Sequence, residues 1–225
     1  MFKFKHFTVY QEHCAMKVGT DGVLLGAWSN GGQEILDVGT GTGLIALMIV
    51  QRYPQAHVTA IDIDEGAVLQ AKENVARAFC EDRVTVLHQT VQELAKKEEH
   101  VLAYDAVVCN PPYFIDSLNT SDKQRNLARH ADSLTYGELM EAAWFLLKEE
   151  GELSVVVPFD YRQRMEDEAI FRGFFPCRVC AVKTVEGKPA RRFLLSFKKQ
   201  SCHCERSMMT IGDAEYQRLT HNFYL

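Results

Sequence analysis

Several features that would place this chain in other classes of protein are missing from its sequence. Met1 to His6 alternate charged and aromatic residues and contain no apolar h-region, so a secretory signal is not expected. No window of the 225 residues is apolar enough to span a membrane. The seven cysteines are odd in number and follow no secretory signal. We therefore expect a cytoplasmic protein with reduced thiols and no membrane partner.

Internal repeats and low-complexity segments are also missing, which favours one α/β domain with additions. The net charge of −5 argues weakly against a nucleic-acid partner, but the charge is unevenly distributed. Between Arg178 and Lys199 there are seven basic residues against the single acid Glu186. This stretch predicts a basic face that could hold phosphates, and a pair of solvated strands with ordinary lysines is the alternative.

The order of apolar runs predicts a doubly wound sheet. Four short strands are expected at 34–38, 57–63, 83–87 and 104–109, with helices between them. A fifth strand at 153–157 precedes a helix, and two strands at 177–184 and 191–198 close the sheet as a hairpin. We predict a seven-stranded, mainly parallel sheet with helices on both faces and a C-terminal antiparallel hairpin strand.

The fourth strand runs into Asn110-Pro111-Pro112-Tyr113, an unusual way to leave a sheet. The two prolines fix their own φ angles and bias Asn110 towards an extended backbone. One interpretation is a rigid exit from the strand. The other is a clamp for a planar nitrogen: the Asn110 side-chain oxygen and the Pro111 carbonyl accept the two hydrogens of an NH2 group, and Tyr113 stacks on its ring.

A glycine-rich turn, Gly39-Thr40-Gly41-Thr42-Gly43, follows the first strand and precedes a helix. A dinucleotide-binding turn has its third glycine one position later, where this chain has Leu44, so a pyrophosphate ligand is disfavoured. Asp37 can lie near an amino group of the cofactor, and Asp62 can accept both ribose hydroxyls. These two acids favour S-adenosylmethionine. Asp62 could alternatively cap the following helix.

The cysteines offer only a weak metal-binding pattern. Cys177 and Cys180 fall in a predicted strand, where positions three apart point to opposite faces. Cys202 and Cys204 flank His203 at tight spacing in the tail. We expect no metal.

Taken together, these motifs resemble the class I S-adenosylmethionine-dependent methyltransferases (Rossmann-like fold) that act on an amino or amide nitrogen. A closer resemblance, to the bacterial tRNA1(Val) adenine-37 N6-methyltransferases, covers nearly the whole chain. It rests on further segments: Phe7–Gln11, Cys14–Trp28, Ala128-Arg129-His130, Lys188-Pro189 with Arg191-Arg192, and Phe223-Tyr224-Leu225.

The resemblance implies roles for individual residues. The catalytic set is Asn110, Pro111, Pro112 and Tyr113. The cofactor-binding set is Lys17, Thr20, Asp37, Gly39, Gly41, Gly43, Asp62, Ile63, Thr90 and Asn110. The RNA-binding set is Lys3, Lys5, Arg129, His130, Lys188, Arg191 and Arg192. One departure from the family pattern is the run Leu87 to Val91, which has no acid to contact the cofactor adenine, so Thr90 or Gln89 would make that contact.

The resemblance also implies the organisation of the chain and its partner. Residues 1–30 would be an extension packed on the core, 31–200 the methyltransferase domain, and 201–225 a tail docked back on the core. The partner would be the anticodon loop of a tRNA. The sequence does not fix the oligomeric state, for which a monomer is favoured.

Three other functions stay open. A protein glutamine N5-methyltransferase can use the same Asn-Pro-Pro-Tyr clamp, but it normally has a separate N-terminal helical domain, and only about thirty residues precede the first core strand here. An N6-adenine methyltransferase acting on DNA or rRNA is a second alternative. The third is an RNA-binding domain without catalytic activity, against which the intact cofactor and clamp residues speak.

Overall fold

The computed structural model describes residues 1–14, 16–112 and 134–224. The strands, in chain order, are β1 (Phe2–Lys3), β2 (Thr8–Val9), β3 (Glu34–Val38), β4 (His57–Asp62), β5 (Val84–His88), β6 (Tyr104–Cys109), β7 (Leu147–Pro158), β8 (Phe175–Lys183), β9 (Arg192–Lys198) and β10 (Glu205–Thr210). The α-helices are α1 (Thr20–Trp28), α2 (Leu44–Arg52), α3 (Glu65–Arg77), α4 (Val91–Leu94), α5 (Tyr136–Leu146), α6 (Arg162–Phe171) and α7 (Ala214–Thr220). Two short 3-10 helices lie at Glu98–His100 and Phe159–Tyr161.

Eight of the strands form one sheet in the order β10-β8-β9-β7-β6-β3-β4-β5. The pairings are parallel from β7 through β6, β3 and β4 to β5, and β9 is antiparallel to both β7 and β8. The predicted class I methyltransferase architecture with an antiparallel hairpin strand is therefore confirmed. The sheet has one strand more than the seven expected.

The additional strand is β10, in the segment 201–225 that the sequence suggested was only a tail. It pairs in parallel with β8 from Glu205 to Thr210. Its burial explains why periodicity missed it: most of its side chains are exposed and only Met209 is buried. Backbone pairing at a sheet edge leaves little trace in an apolar pattern. The division into 1–30, 31–200 and 201–225 stays a prediction.

A second difference concerns Glu150-Gly151-Glu152, which the sequence suggested was a turn before the fifth strand. In the structure these residues lie within β7. Leu147 pairs with Tyr104 and Glu152 pairs with Ala106, so a five-residue step on β7 faces a two-residue step on β6. The turn-forming residues are accommodated as a bulge rather than as the end of a strand.

Helices cover both faces of the sheet, as predicted. One apolar core contains residues of α1, α2 and α3, and the other contains residues of α4, α5 and α6. Because each face is covered, the central strands read as continuous apolar runs rather than alternating ones. No helix in the described part of the chain is long and apolar enough to cross a membrane.

The two chain termini meet on the α1–α3 face. Phe4 is buried and stacks with Tyr224 at a centroid distance of 6.1 Å, while Phe223 is almost fully buried. The Lys5 amide donates to the Phe223 carbonyl at 2.9 Å. The end of the tail therefore packs against the start of the chain.

Candidate active site

The glycine turn leaves β3 at the carboxyl edge of the sheet, by which we mean the edge where the parallel strands end. Gly39, Gly41 and Gly43 have φ values of +69°, +56° and +78°, a region that side-chain-bearing residues rarely adopt. The amides of Gly39 and Thr40 both donate to the Ile61 carbonyl of the neighbouring strand, at 2.9 and 3.0 Å. A Cβ added at Gly39 or Gly41 would meet no atom within 4 Å, so the turn borders open space.

Asp37 lies fully buried just before this turn. Its Oδ2 accepts a hydrogen bond from the Thr40 hydroxyl at 2.6 Å, whereas no described residue donates to Oδ1 with hydrogen-bond geometry. Burial raises the pKa of Asp37 to about 7, although the Thr40 hydroxyl and the nearby Ala46 amide lower it. A buried acid with one unpartnered oxygen is a group that a cationic ligand could satisfy.

Asp62 ends β4 and faces the same turn. Its Oδ2 accepts from the Gly41 amide at 2.8 Å, and its Oδ1 accepts from the Asp64 amide at 3.0 Å. Asp64, not Asp62, caps helix α3, because the Asp64 side chain accepts from the amides of Gly66 and Ala67. The alternative role of Asp62 as the helix cap is therefore excluded. Each carboxylate oxygen of Asp62 retains a lone pair, which is available for a hydrogen bond from a ribose hydroxyl.

Asn110 follows β6 and lines a cleft of about 180 Å3 at the carboxyl edge. The other lining residues are Met16, Lys17, Gly19, Thr20, Asp21, Gly22 and Arg192. The cleft brings together Lys17 and Thr20 from the predicted cofactor set, Asn110 from the catalytic set and Arg192 from the RNA set. Pro111 is buried beside it and Pro112 is half-buried. Tyr113 lies outside the described residues.

Asp21 is a cleft residue that the sequence did not single out. Its carboxylate lies 2.8 Å from the Arg192 guanidinium, and the two side chains are about equally exposed, at 25% and 23%. The pair joins the start of α1 to the start of β9, across 170 residues of sequence. Sequence alone could not indicate this pair, because its two residues lie far apart along the chain.

The segment 7–19, which we call the leader, reaches this cleft and is hydrogen-bonded to α3 by two buried side-chain amides. The Asn74 side chain bonds both the Tyr10 amide and the Tyr10 carbonyl, and it also donates to the Thr42 carbonyl of the glycine turn. Gln70 accepts from the His13 amide at 3.1 Å. Lys17 donates to the carbonyls of Gln11 and Cys14. Asn74 thereby couples the leader to the turn, a role that sequence reasoning missed.

The residues expected near a cofactor adenine are partly committed to other contacts. Thr90 is the N-cap of α4, and its hydroxyl accepts from the Glu93 amide at 3.1 Å in a capping box. The Gln89 side chain accepts from Lys97 at 3.0 Å. Ile63, directly after Asp62, exposes 51% of its surface. An exposed apolar side chain at this edge offers an adenine ring a better contact than a capping hydroxyl does.

The predicted RNA-binding residues differ in their surroundings. Lys3, Lys5, Lys188 and Arg191 are exposed, whereas Arg192 is half-buried in its pair with Asp21. Lys188 and Arg191 follow the end of β8 and so lie at the carboxyl edge. The Lys5 ammonium donates to the His221 carbonyl. Arg129 and His130 lie outside the described residues.

The prediction of a basic face is wrong for two residues, Arg178 and Lys199. Arg178 lies 2.6 Å from the buried Glu152 carboxylate and stacks over the Trp28 ring at 4.0 Å. Lys199 is buried and donates to the Leu147 carbonyl at 2.6 Å. Both belong to the amino edge, the opposite end of the sheet, where the parallel strands begin. Their charges serve packing, so the Arg178–Lys199 stretch is not one uniform phosphate-binding surface.

The described residues contain no group of three or more His, Cys, Asp or Glu side chains that could hold a metal ion. The Cys177 thiol instead lies 3.0 Å from the Ser196 hydroxyl.

The parallel sheet, the glycine turn at its carboxyl edge and the acid ending the next strand together define a class I methyltransferase. The family described as the methyltransferase small domain matches residues 16–181. Among solved structures, one from Agrobacterium tumefaciens described as a predicted O-methyltransferase has a TM-score of 0.70. It is 16% identical to this chain, and the match covers 90% of this chain and 96% of the other. At that identity it shows the fold alone.

Curated relatives are much closer in sequence. A protein from Bacteroides thetaiotaomicron named tRNA1(Val) (adenine(37)-N6)-methyltransferase is 44% identical over 233 residues, covering 100% of this chain and 97% of its own length. A protein of the same name from Histophilus somni is 40% identical, with the same coverage of both chains. The chain belongs to the tRNA1(Val) (adenine(37)-N6)-methyltransferase family.

Proposed function

We propose that this protein transfers a methyl group from S-adenosylmethionine to N6 of an adenine in tRNA, at adenosine 37 in the anticodon loop of tRNA1(Val). The observation that carries the chemistry is the position of Asn110 and Pro111. They directly follow β6, which pairs with the strand that precedes the glycine turn, and Asn110 lines the cleft. The identity of the RNA rests on the names of the relatives.

The described residues fit the proposed cofactor. Gly39 and Gly41 border open space that a ligand backbone or sugar could fill. Asp62 contacts the Gly41 amide beside that space, and its carboxylate can accept further hydrogen bonds. The unpartnered Oδ1 of Asp37 fits an ammonium group. Exposed Ile63 fits an adenine ring. The bound cofactor would supply an electrophilic methyl group on a cationic sulfonium.

The clamp residues would prepare the attacking nitrogen. An exocyclic N6 is a poor nucleophile because its lone pair delocalises into the adenine ring. Two acceptors, the Asn110 side-chain oxygen and the Pro111 carbonyl, would raise electron density on the nitrogen and favour a pyramidal geometry. Tyr113 would stack on the flipped base, contributing on the order of 1–3 kcal/mol. Most of the catalysis would be positioning and electrostatics.

A strong general base is not required by this chemistry, and none of the described residues that line the cleft supplies one. The titratable side chains that line it are Lys17, Asp21 and Arg192. Asp21 is paired with Arg192, and the Lys17 ammonium holds two leader carbonyls. The proton of the methylated nitrogen would therefore leave to water after transfer.

An unpaired anticodon-loop adenine suits this site because little stacking is lost when the base is flipped out. Exposed Lys188 and Arg191 would contact the RNA backbone at the edge where the cleft opens. A cytoplasmic location and a monomeric state are part of the proposal, as is the division of the chain into an N-terminal extension, a catalytic domain and a docked tail.

Nucleoside mass spectrometry tests the proposal. The protein is incubated with S-adenosylmethionine and unmodified tRNA1(Val), and the digested RNA is examined for N6-methyladenosine at position 37. Parallel reactions contain DNA, rRNA and a glutamine-bearing release-factor peptide. Methylation of adenosine 37 alone supports the proposal. Methylation of only one of the other substrates, or of none, overturns it.

A further inference from the structure

An exposed aromatic ring lies at the carboxyl edge and has no part in the catalytic scheme above. Phe159 follows the last residue of β7 and exposes 56% of its surface, whereas neighbouring Phe193 exposes only 6%. The ring centroids are 6.2 Å apart at an interplanar angle of 42°. The Phe159 amide donates to the Arg191 carbonyl at 3.0 Å. The ring is held at its base while much of its surface faces solvent.

The sheet register places this ring beyond the methylation site on the same edge. Cys109, just before Asn110, pairs with Val155, and Pro158, just before Phe159, pairs with Arg192. Phe159 therefore lies three strand positions further out than Asn110, or about 10 Å at ~3.3 Å per residue. Arg192, on β9, contacts both regions, because it lines the cleft of Asn110 and pairs with the residue before Phe159. That spacing suits an adjacent nucleotide.

The charges around Phe159 fit a nucleic acid. Arg191 is exposed and its carbonyl holds Phe159, and exposed Lys188 belongs to the same hairpin turn. The Arg162 guanidinium lies 4.4 Å from the Phe193 ring centroid but is paired with Glu166 at 3.0 Å, and exposed Asp160 directly follows Phe159, so Arg191 and Lys188 supply the available positive charge. An exposed ring beside such cations can bind single-stranded nucleic acids, since bases stack on the ring while phosphates contact the charges. Exposed Phe171 also has a cation beside it, the Arg172 guanidinium at 5.8 Å from its ring centroid, but it ends α6 at the amino edge, away from the cleft. Exposed Phe175 begins β8 at the same amino edge.

We propose that Phe159 is a stacking platform for the nucleobase next to the methylated adenine, with Arg191 and Lys188 holding the intervening phosphates. This inference rests on the proposed function and adds a specificity-determining residue to it. Stacking on Phe159 would keep the neighbouring base in place when the target adenine flips into the cleft. The platform would act on RNA binding and leave the cofactor site unchanged.

Steady-state kinetics on a tRNA1(Val) transcript test the platform. We expect F159A to raise KM for the RNA by about 5- to 160-fold, which corresponds to the loss of one base–aromatic stacking contact. The kcat at saturating RNA and the cofactor Kd should stay within about twofold, because the clamp is untouched. F159W should restore KM. The matched control is F171A, an equally large truncation of an exposed ring at the amino edge, which should leave KM unchanged.

A second experiment changes the RNA and is run with both the wild type and F159A, and its wild-type arm does not depend on how a variant folds. Anticodon stem-loops carry an abasic nucleotide on one side or the other of the target adenine. If Phe159 stacks on a neighbouring base, one abasic substrate should raise KM about as much as F159A does, and combining the two should add little further. Fully additive losses on both sides, or an F159A variant indistinguishable from F171A, would overturn the platform.

The outcomes also separate this inference from the proposed function. A wild-type protein that transfers no methyl group to any RNA defeats the proposed function. If the wild-type protein methylates the RNA, but neither F159A nor either abasic substrate raises KM, only the stacking platform is overturned.

Discussion

The two edges of the sheet use acids and bases in opposite ways. At the amino edge, Asp105 accepts from the amides of Gln33 and Glu34 and from the Lys148 ammonium. Partial burial raises the pKa of Asp105, but these hydrogen bonds outweigh it and hold the pKa below its ordinary value. At the carboxyl edge, burial raises the pKa of Asp37 to about 7, and one of its oxygens has no described donor.

The basic residues show the same contrast. Arg178 and Lys199 are enclosed at the amino edge, where Arg178 forms an ion pair with Glu152 and Lys199 donates a hydrogen bond to the Leu147 carbonyl. Lys188 and Arg191 are exposed at the carboxyl edge, on the turn of the same hairpin. The amino edge satisfies its polar groups internally and stabilises the fold. The carboxyl edge leaves groups available to ligands, as expected for open parallel sheets, whose ligands bind outside the carboxyl ends of the strands.

The largest effect on stability is expected at the amino edge. R178M should lower the free energy of unfolding by about 3–5 kcal/mol, because it leaves the buried Glu152 carboxylate without its positively charged partner. Thermal denaturation should show a fall in Tm of roughly 10 °C. Adding E152Q should recover part of the loss, and R191M at the carboxyl edge should leave Tm unchanged. An R178M variant as stable as the wild type would contradict the contrast between the edges.

The largest effect on catalysis is expected at the carboxyl edge. N110A should lower kcat about 10²- to 10³-fold, since it removes one of the two acceptors that activate N6. Methyl transfer to tRNA measures kcat. Calorimetry with S-adenosylmethionine should show a Kd that changes far less than kcat does, because Asn110 is one of many residues in the predicted cofactor-binding set.

The matched control is N30A at the amino edge, where Asn30 donates to Glu152 at 2.9 Å. It should lower stability by about 1.5–3 kcal/mol and leave kcat intact. A fully active N110A variant would remove the clamp from the mechanism.

Much of the fold was predictable because its signals are local. Buried parallel strands such as β3 and β6 are continuous apolar runs, and the turn after β3 is marked by glycines that need positive φ. Strand β10 escaped prediction because its exposed side chains carry no apolar pattern, and its place depends on backbone bonds to β8.

The site divides in the same way. Asn110 and Asp62 were predictable because each directly follows or ends an apolar strand. The Asp21–Arg192 pair and the bridge from Asn74 to the leader were not, since each joins segments far apart in sequence. Arg178 was misassigned for the same reason: a count of basic residues does not show that Glu152, on another strand, lies 2.6 Å away.

The two aspartates should give opposite pH dependences of stability. Asp37 has an ordinary pKa of 3.8 and a folded pKa of about 7. Between these values the folded state holds a proton that the unfolded state has lost. Its stabilising contribution is therefore complete below pH 3.8 and disappears as the pH rises to about 7, at about 1.4 kcal/mol per pH unit.

Urea denaturation from about pH 2 to 8 covers both windows, that of Asp37 above pH 3.8 and that of Asp105 below it. D37N should remove the decline between pH 4 and 7. D105N should instead remove a loss of stability on the acid side, because the folded pKa of Asp105 is lowered and its contribution is lost as the pH falls. If D37N leaves the pH dependence of the unfolding free energy between pH 4 and 7 unchanged, Asp37 does not have the raised pKa that distinguishes it from Asp105.

The smallest effects are expected from the exposed bases, where each single contact is weak and shared with others. K188A and R191A should each reduce the slope of log affinity for tRNA against log salt by about 0.7–0.9, the value of one phosphate contact. Tm should not change, because neither side chain is buried. The measurement is a salt titration of RNA binding by fluorescence anisotropy.

The control for these variants is R172A, which removes the same charge at the amino edge, where Arg172 pairs with Glu141 at 2.9 Å. A general loss of positive charge would change the slope equally in all three variants. Direct phosphate contacts at the carboxyl edge would change it only in K188A and R191A. Equal slopes for R172A and R191A would mean that RNA is attracted by net charge alone, and the functional contrast between the two edges would then be confined to the cleft.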